Sequence, residues 1–412
     1  MYPIVCGGRC TLNADRSNHR AWHSIKFLDP RESGAVIPVL HVNGFKISER
    51  TIFGCMDDKE LVCLFTGYGY QVSIVENLAQ IDDELSSSLK WALSEIRKIQ
   101  KSARSGEPME KPRWPMIILR TPKASPLIVR LAFVGALLIL RHQGWTGPKM
   151  VDGKIIEGSF HSHQVPLPMA NKDEAQLRIL DEWLSSYRIA ELLPNGRPNE
   201  QILDIIPNDD GSKLGQNRAS YDPPIGLDLP KWEDFAVAKG GDESCMKALG
   251  RFLAQVLQDN PSGVRIFSPD ELESNKLDAV LYHTGRNFQW DEFSRVSGGR
   301  VVELLSEHCC QGYLQGYTLT GRVGIFPSYE SFLGIVHTMM IQYSKFMKIA
   351  HEVRWRGDLP SIKYATSSPM CFPSASFPLL TPRCPATSRP VRGRDRSTTA
   401  FRTRTRLSSG RF

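Results

Sequence analysis

Between Ala35 and Arg120 short apolar runs alternate with longer amphipathic ones, and that alternation confines the chain to an α/β fold built on a parallel sheet. Ala35 to Val42 (AVIPVLHV) is an apolar run ending at Asn43-Gly44, as a buried strand meeting a tight turn does. Asp57 then stands three residues before Glu60, a capping-box spacing, and Leu61, Leu64 and Phe65 share one helical face until Gly67 stops the helix. Gln71 to Val75 reads as the next strand. From Asp82 to Arg104 the residues Leu85, Leu89, Ala92, Leu93, Ile96 and Ile99 recur at three and four, which predicts an amphipathic helix leading to a strand at Met116 to Arg120.

Asn171 to Pro230 is polar and rich in Pro, Asp and Asn, and reads as irregular structure with a linker ending near Gly241. The pattern then restarts. A helix is predicted at Glu243 to Gln258, a strand at Val264 to Phe267, a helix around Val301 to Gln311, a long helix from Tyr329 to Val353, and a strand beginning at Ser361 to Ser367. Two α/β domains are therefore expected, 21–240 and 241–367, with an unassigned segment 1–20. After Ser367 the composition changes to Pro, Ser, Thr and Arg and cannot build a core, so 368–412 is expected to be a disordered basic tail, and a shifted reading frame or splicing error accounts for it best.

Charge follows the same boundary. Pro369 to Phe412 holds nine arginines and one acid, Asp395, a net +8, so the +7 of the whole chain leaves −1 on the body and no basic surplus there for nucleic acid. The nine cysteines show no repeated zinc spacing, and adjacent Cys309-Cys310 strain a disulfide, so reduced thiols in a cytoplasmic protein are expected. The opening MYPIVCGGRCTLNADR has neither a charged n-region nor an apolar h-region of signal length, so secretion is not expected. Leu127 to Leu140 is the most apolar stretch, but its 14 residues include Arg130, short of the roughly 20 a spanning helix needs. It is a buried or misplaced apolar segment, or a retained intron translated in frame; no membrane partner is expected.

The strings Thr121-Pro122-Lys123 and Gly144-Trp145-Thr146-Gly147-Pro148-Lys149 read as two halves of one phrase, separated by the insert 124–143 and followed by EGSFHSHQVPLP at Glu157 to Pro168. Rejoined, they resemble the phosphoketolases, thiamine-diphosphate enzymes that cleave ketose phosphates with inorganic phosphate. From about Ala21 to Ser367 the chain resembles the middle of such an enzyme, most closely the fungal members, with both ends missing. The resemblance implies a thiamine-diphosphate-binding fold, in which 21–240 is a partial pyrophosphate-type domain and 241–367 a truncated pyrimidine-type domain. It also implies the cofactors thiamine diphosphate and Mg²⁺.

By resemblance Asn43 in HVNGFKI, with the backbone carbonyl of Phe45, binds Mg²⁺, a hard cation that prefers oxygen ligands; taken alone, Asn-Gly is an ordinary turn. The Gly-Asp-Gly turn that carries the acidic ligand has no counterpart upstream of Ala21. Glu307 in LLSEHCCQG matches the glutamate that hydrogen-bonds the aminopyrimidine, and Tyr329 and Phe332 in SYESF match its aromatic wall, though at this spacing core packing is the plainer reading. His163 in SHQVP and Lys123 in TPK match acid/base and phosphate-side residues. Ser274 and Lys276 in PDELESNK match contacts to the substrate phosphate, although SPDE is also a helix start with Ser268 as N-cap. Gly67-Tyr68-Gly69 is a helix stop rather than a nucleotide fingerprint, and His23, His41 and His161 carry no assigned role.

The activity so implied converts xylulose 5-phosphate or fructose 6-phosphate, with phosphate, to acetyl phosphate and an aldose phosphate, in a homodimer whose sites lie between subunits. Without the acidic metal ligand the chain is expected to be impaired or inactive. Two alternatives stay open: a non-catalytic partner of an intact phosphoketolase, and a nucleic-acid binder acting through Arg389 to Arg406.

Overall fold

The structure is a computed structural model and describes residues 4–6, 21–123, 145, 147–163, 165–204, 206, 226–287, 298–353 and 359–367. The insert 124–143 with its apolar run, residues 7–20 and the tail 368–412 lie outside these.

Strands β1 (Ile4–Cys6), β2 (Ile37–Val42), β3 (Tyr70–Val75) and β4 (Trp114–Arg120) make one sheet in the order β1-β2-β4-β3, every pair parallel. Parallel neighbours need crossover connections. Helix α1 (Asp58–Tyr68) crosses between β2 and β3, and α2 (Ile81–Arg104) between β3 and β4. The cap predicted for α1 is present in both halves: Glu60 N–H donates to Asp57 Oδ1 and Asp57 N–H to Glu60 Oε2, each at 2.8 Å. The helix ends two residues later than expected, at Gly69 rather than Gly67, because the left-handed backbone that closes it (φ 103°) falls at Gly69. Helix α2 buries Leu85, Leu89, Ala92, Leu93, Ile96 and Ile99 against the sheet, each large side chain contributing about 1.5–3 kcal/mol. Its first turn carries Asp82, Asp83 and Glu84 and its last Lys101 and Arg104, both complementing the helix dipole. Strand β4 is buried from Trp114 to Leu119, as a strand covered on both faces must be.

Beyond the insert, Trp145 is buried with Val151, Ile156 and Leu167 and lies edge-on to Trp183 at 4.9 Å. The hairpin β5 (Met150–Val151) to β6 (Lys154–Ile155) turns on Asp152-Gly153, both at positive φ. The stretch read as irregular contains helix α3 (Glu174–Ser185) and the single turns Ile189–Leu192 and Glu200–Leu203. Asp173, whose carboxylate accepts Ala175 N–H at 3.0 Å, caps α3; the polar flanks masked the Ile179, Leu180 and Trp183 face that packs on the Trp145 cluster.

The second sheet has the order β10-β9-β7-β8, again all parallel, from β7 (Val264–Ser268), β8 (Val301–Glu303), β9 (Val323–Tyr329) and β10 (Lys363–Ser367). Helix α4 (Cys245–Asp259) precedes it, close to the prediction. Three expectations are corrected. Val301 to Gln311 is not one helix: Val301–Glu303 pairs with β7, and Ser306 then caps α5 (Glu307–Thr318). Tyr329 ends a strand, Glu330–Val336 is a 3₁₀ stretch, and only His337–Glu352 is α-helical (α6). Ser268 closes β7 and starts no helix; its hydroxyl donates to the Asp270 carbonyl at 2.5 Å. In the first of these the β-branched residues of the strand were absorbed into the periodicity of the following helix.

Residues 21–33 strap the two sheets together. Trp22 lies edge-on to Phe65 at 5.0 Å, while the carbonyls of Ser24 and Phe27 accept from Tyr313 OH at 2.5 Å and Asn287 Nδ2 at 2.6 Å. Glu32 pairs with Arg265. A cavity of about 1500 Å³ opens here, bounded by Val39 and Trp114 on one side and Phe267 and Tyr317 on the other; no residue singled out for chemistry lines it. Among the described residues no helix is long and apolar enough to cross a membrane, and Cys55, Cys63, Cys245, Cys309 and Cys310 form no disulfide.

Candidate active site

The residues expected to carry chemistry gather in two clusters, each beyond the carboxyl ends of its own sheet. In the first, β2 delivers Asn43, and the chain reverses through Gly44 at φ 84°, a conformation that favours glycine. Asn43 Oδ1 accepts the Phe45 N–H at 3.2 Å, Phe45 bridges to Arg50, and the Arg50 guanidinium sits 5.2 Å from the Phe45 ring. Gly54 packs against this turn so closely that a Cβ would stand 2.5 Å from the Gly44 oxygen. His41, left without a role by the sequence, joins β2 to β4 through a 2.6 Å bond between its Nε2 and Thr121 Oγ1. Lys123 follows β4 directly. Its ammonium donates to the Lys46 carbonyl and its own carbonyl accepts Gly158 N–H at 2.8 Å, so it ties the Asn43 turn to the segment bearing half-buried His163.

Lys123 is 3% exposed, and desolvation holds its pKa below the ordinary lysine value. The folded chain therefore binds fewer protons here than the unfolded chain, so stability rises with pH through the window below the ordinary pKa of about 10.4. The penalty is fully present below that window. Lys123→Met, which keeps length and removes the buried charge, is expected to stabilise the protein by on the order of 1 kcal/mol at pH 7. The gain should shrink as the pH is raised into the lysine range; a melting-temperature difference that stays constant to pH 10.5, an upper limit of roughly that pKa, would count against burial as the cause.

The second cluster lies where β7 has β8 on one side and β9 on the other, the reversal of strand order at which open α/β sheets form a crevice. Glu307 is the first residue of α5, half-buried, with Ser306 Oγ accepting Cys309 N–H at 3.3 Å to cap the helix. Tyr329 ends β9 and Phe332 lies edge-on to it at 6.1 Å, 44% exposed, so these two rings form an open wall and not a core contact. Tyr329 OH donates to the Ser274 carbonyl at 3.2 Å, which brings the loop with Ser274 and Lys276 to the same crevice. Ser274 and Lys276 are both exposed.

Residues that sequence reasoning missed complete this crevice. Asp270 has its pKa raised, by burial first and then by the neighbouring Glu307 carboxylate, and its Oδ2 is buried without a partner. Asn275 is fully buried; its Oδ1 accepts Ser367 Oγ–H at 3.0 Å while its Nδ2 is unpaired. Gln311, one turn along α5 from Glu307, accepts Tyr364 OH at 2.9 Å and leaves Nε2 unpaired. Orphaned buried polar atoms are costly, and the one on Asp270 lies beside the Glu307 carboxylate. The signal in the sequence was the string SPDELESN after a strand, which the capping-box reading had claimed.

The clusters are not joined: no described hydrogen bond or ion pair links Asn43, Phe45 or Lys123 with Ser274, Lys276, Glu307, Tyr329 or Phe332.

Residues 247–372 match the family of D-xylulose 5-phosphate/D-fructose 6-phosphate phosphoketolase, and residues 16–128 and 132–224 match the XFP N-terminal domain. A probable phosphoketolase of Schizosaccharomyces pombe is 47% identical over 349 residues, covering 84% of this chain and 40% of that protein. Probable phosphoketolases of Rhodopseudomonas palustris strain HaA2 and Nocardia farcinica are 39% and 37% identical, over 84% of this chain and 44% and 41% of theirs. The chain thus spans about two fifths of the length of the curated relatives it matches. Among solved structures, a transketolase from Leishmania mexicana aligns with a TM-score of 0.42 at 15% identity, over 81% of this chain and 43% of that one.

Proposed function

The chain belongs to the phosphoketolase family, and from that premise we propose that its two sheets are the pyrophosphate-type and pyrimidine-type parts of a thiamine-diphosphate-dependent aldehyde-lyase. The proposed parent reaction takes xylulose 5-phosphate or fructose 6-phosphate and inorganic phosphate to acetyl phosphate, an aldose phosphate and water. The observation that carries this reading is the crevice at the β7–β9 reversal, with a helix-start carboxylate, an open aromatic wall and unpaired buried polar atoms.

That crevice fits the ring end of the coenzyme. Bound thiamine diphosphate supplies the nucleophile and electron sink for cleaving the carbon–carbon bond beside a ketose carbonyl. Glu307 would accept a hydrogen bond from the aminopyrimidine and fix its tautomer, while Tyr329 and Phe332 flank its face. Ser274 and Lys276 would hold the phosphate of the sugar by charge-assisted hydrogen bonds. His163 would exchange a proton with the departing hydroxyl, and Lys123 would place a positive charge towards the incoming phosphate.

The metal end does not fit as it stands. Mg²⁺ demands octahedral oxygen coordination, usually with a carboxylate. Asn43 Oδ1 is turned to the Phe45 N–H, and among the described residues no three or more His, Cys, Asp or Glu gather where they could hold a metal ion. The 412-residue polypeptide by itself is therefore expected to be impaired. Family resemblance further implies a homodimer, with sugar phosphate and phosphate as its ligands.

Incubation with either ketose phosphate, thiamine diphosphate, Mg²⁺ and phosphate, with acetyl phosphate trapped as its hydroxamate, tests this. Turnover is expected at least about a thousandfold below the ~10 s⁻¹ typical of enzymes, and a rate near that value would overturn the impaired reading. Saturation-transfer NMR should still detect aminopyrimidine protons against the protein. No contact at millimolar coenzyme would overturn the ring-end assignment.

A further inference from the structure

The loop after β7 has an unusual support. Lys276 adopts φ 59°, a left-handed conformation that a lysine keeps only where its surroundings impose it. Leu272 and Leu277 anchor the loop in the core, both fully buried. At the first of those anchors the loop is clamped by one carboxylate. Glu303, the last residue of β8 and the register partner of Ser268, is 13% exposed at its side chain and reaches past the sheet end. Its Oε1 accepts Leu272 N–H at 2.9 Å and its Oε2 accepts Nε–H of Arg286. Arg286 also pairs with Glu273 on the loop at 3.6 Å. The backbone of Arg286 is itself fixed, bridged to Val301 and packed on Gly299, where a Cβ would stand 2.0 Å from the Arg286 oxygen.

We propose that Glu303, acting with Arg286, is a positioning residue for recognition of the substrate phosphate: it sets the curve that presents Ser274 and Lys276 and touches no substrate itself. The inference rests on the reading above in which those two residues hold the phosphate. Its physical basis is that a carboxylate accepting one backbone N–H and one guanidinium is directional at both oxygens, whereas the buried leucines fix only depth. Ser274 Oγ is turned to the Glu271 carbonyl at 2.7 Å, so a small rotation of the loop is enough to misdirect its hydroxyl. From the far side Tyr329 OH and Ser367 Oγ reach the loop, at the Ser274 carbonyl and the Asn275 side chain.

The test measures xylulose 5-phosphate binding to the full chain by calorimetry, with thermal melting of each variant as a folding control. Glu303→Ala is expected to weaken binding about tenfold, and Glu303→Gln, which keeps an acceptor for Leu272 N–H, about threefold. Lys276→Ala should also weaken it about tenfold, and adding Glu303→Ala to it should cost little more, because the clamp acts through the groups it aims. If Glu303→Ala melts too low to assay, Arg286→Ala replaces it. Full additivity of the two substitutions, or a Glu303→Ala chain that loses melting temperature but binds as tightly as the parent, overturns the positioning role while sparing the phosphate site. Unchanged affinity in Lys276→Ala, or no binding by the parent, overturns the phosphate site and this inference with it.

Discussion

Replacing Glu307 by glutamine is expected to slow deuterium exchange at the thiazolium C2–H of added thiamine diphosphate by about 10²–10⁴, the range that one positioned acid/base group contributes. An amide cannot take the place of the carboxylate in fixing the tautomer of the aminopyrimidine. The fold should survive, because an acid at the first position of α5 contributes only about 0.3–1 kcal/mol through the helix dipole. A second consequence concerns Asp270. Its pKa is raised by burial and by the Glu307 charge, so the folded chain holds its proton more tightly than the unfolded chain does. The stability this confers is present below the unfolded value of about 3.9 and is lost as pH rises through the folded pKa. Removing the Glu307 charge narrows that window and leaves burial as the remaining cause. Carbon-13 titration of Asp270 should therefore show a lower midpoint in Glu307→Gln; an unmoved midpoint together with undiminished exchange would falsify the arrangement proposed for the crevice.

Trp145→Ala is expected to cost about 3–5 kcal/mol, the penalty for emptying a fully packed aromatic site. Trp145 is 2% exposed, donates its Nε1–H to the Pro148 carbonyl at 2.9 Å and meets Trp183 edge-on, while Gly147 beneath it has no room for a Cβ. It lies just after the insert, so it reports whether the chain recovers its packing there. Hydrogen exchange should show amides of 147–163 and 165–204 losing protection while β2–β4 keep theirs. A denaturant midpoint shift worth less than about 1 kcal/mol would mean that this cluster is loosely built.

How far the sequence could be read depended on whether a signal was local. The α1 capping box, the α2 stripe and the Asn43-Gly44 turn report their own backbone, and each is found at or within two residues of its predicted place. Strand β8 was lost because three residues, Val301–Glu303, are too few to display a period of two before α5 begins. Strand β9 escaped the reading, with only its last residue, Tyr329, entering the expected helix, because its Gly-Ile-Phe-Pro run has no alternation when both faces are covered. At the site, the residue types at Asn43, Lys123, His163, Ser274, Lys276, Glu307, Tyr329 and Phe332 were legible from motif strings. Their division between two sheet ends was not, since it depends on strand order. Asp270, Asn275 and Glu303 acquire meaning only from partners 31 and 92 residues away in the cases of Glu303 with Leu272 and Asn275 with Ser367.

The strap at 21–33 has a consequence for how the protein is made. Its partners Arg265, Asn287 and Tyr313 follow Glu32, Phe27 and Ser24 by 233, 260 and 289 residues. At a synthesis rate of about 5–20 residues per second, Ser24 waits roughly 15–60 s for the tyrosine that closes on it. During that interval the flank of the first sheet at Val39 and Trp114 is without the second sheet that bounds the cavity there, so elongation speed and the supply of chaperones bear on how much of the nascent chain reaches this fold.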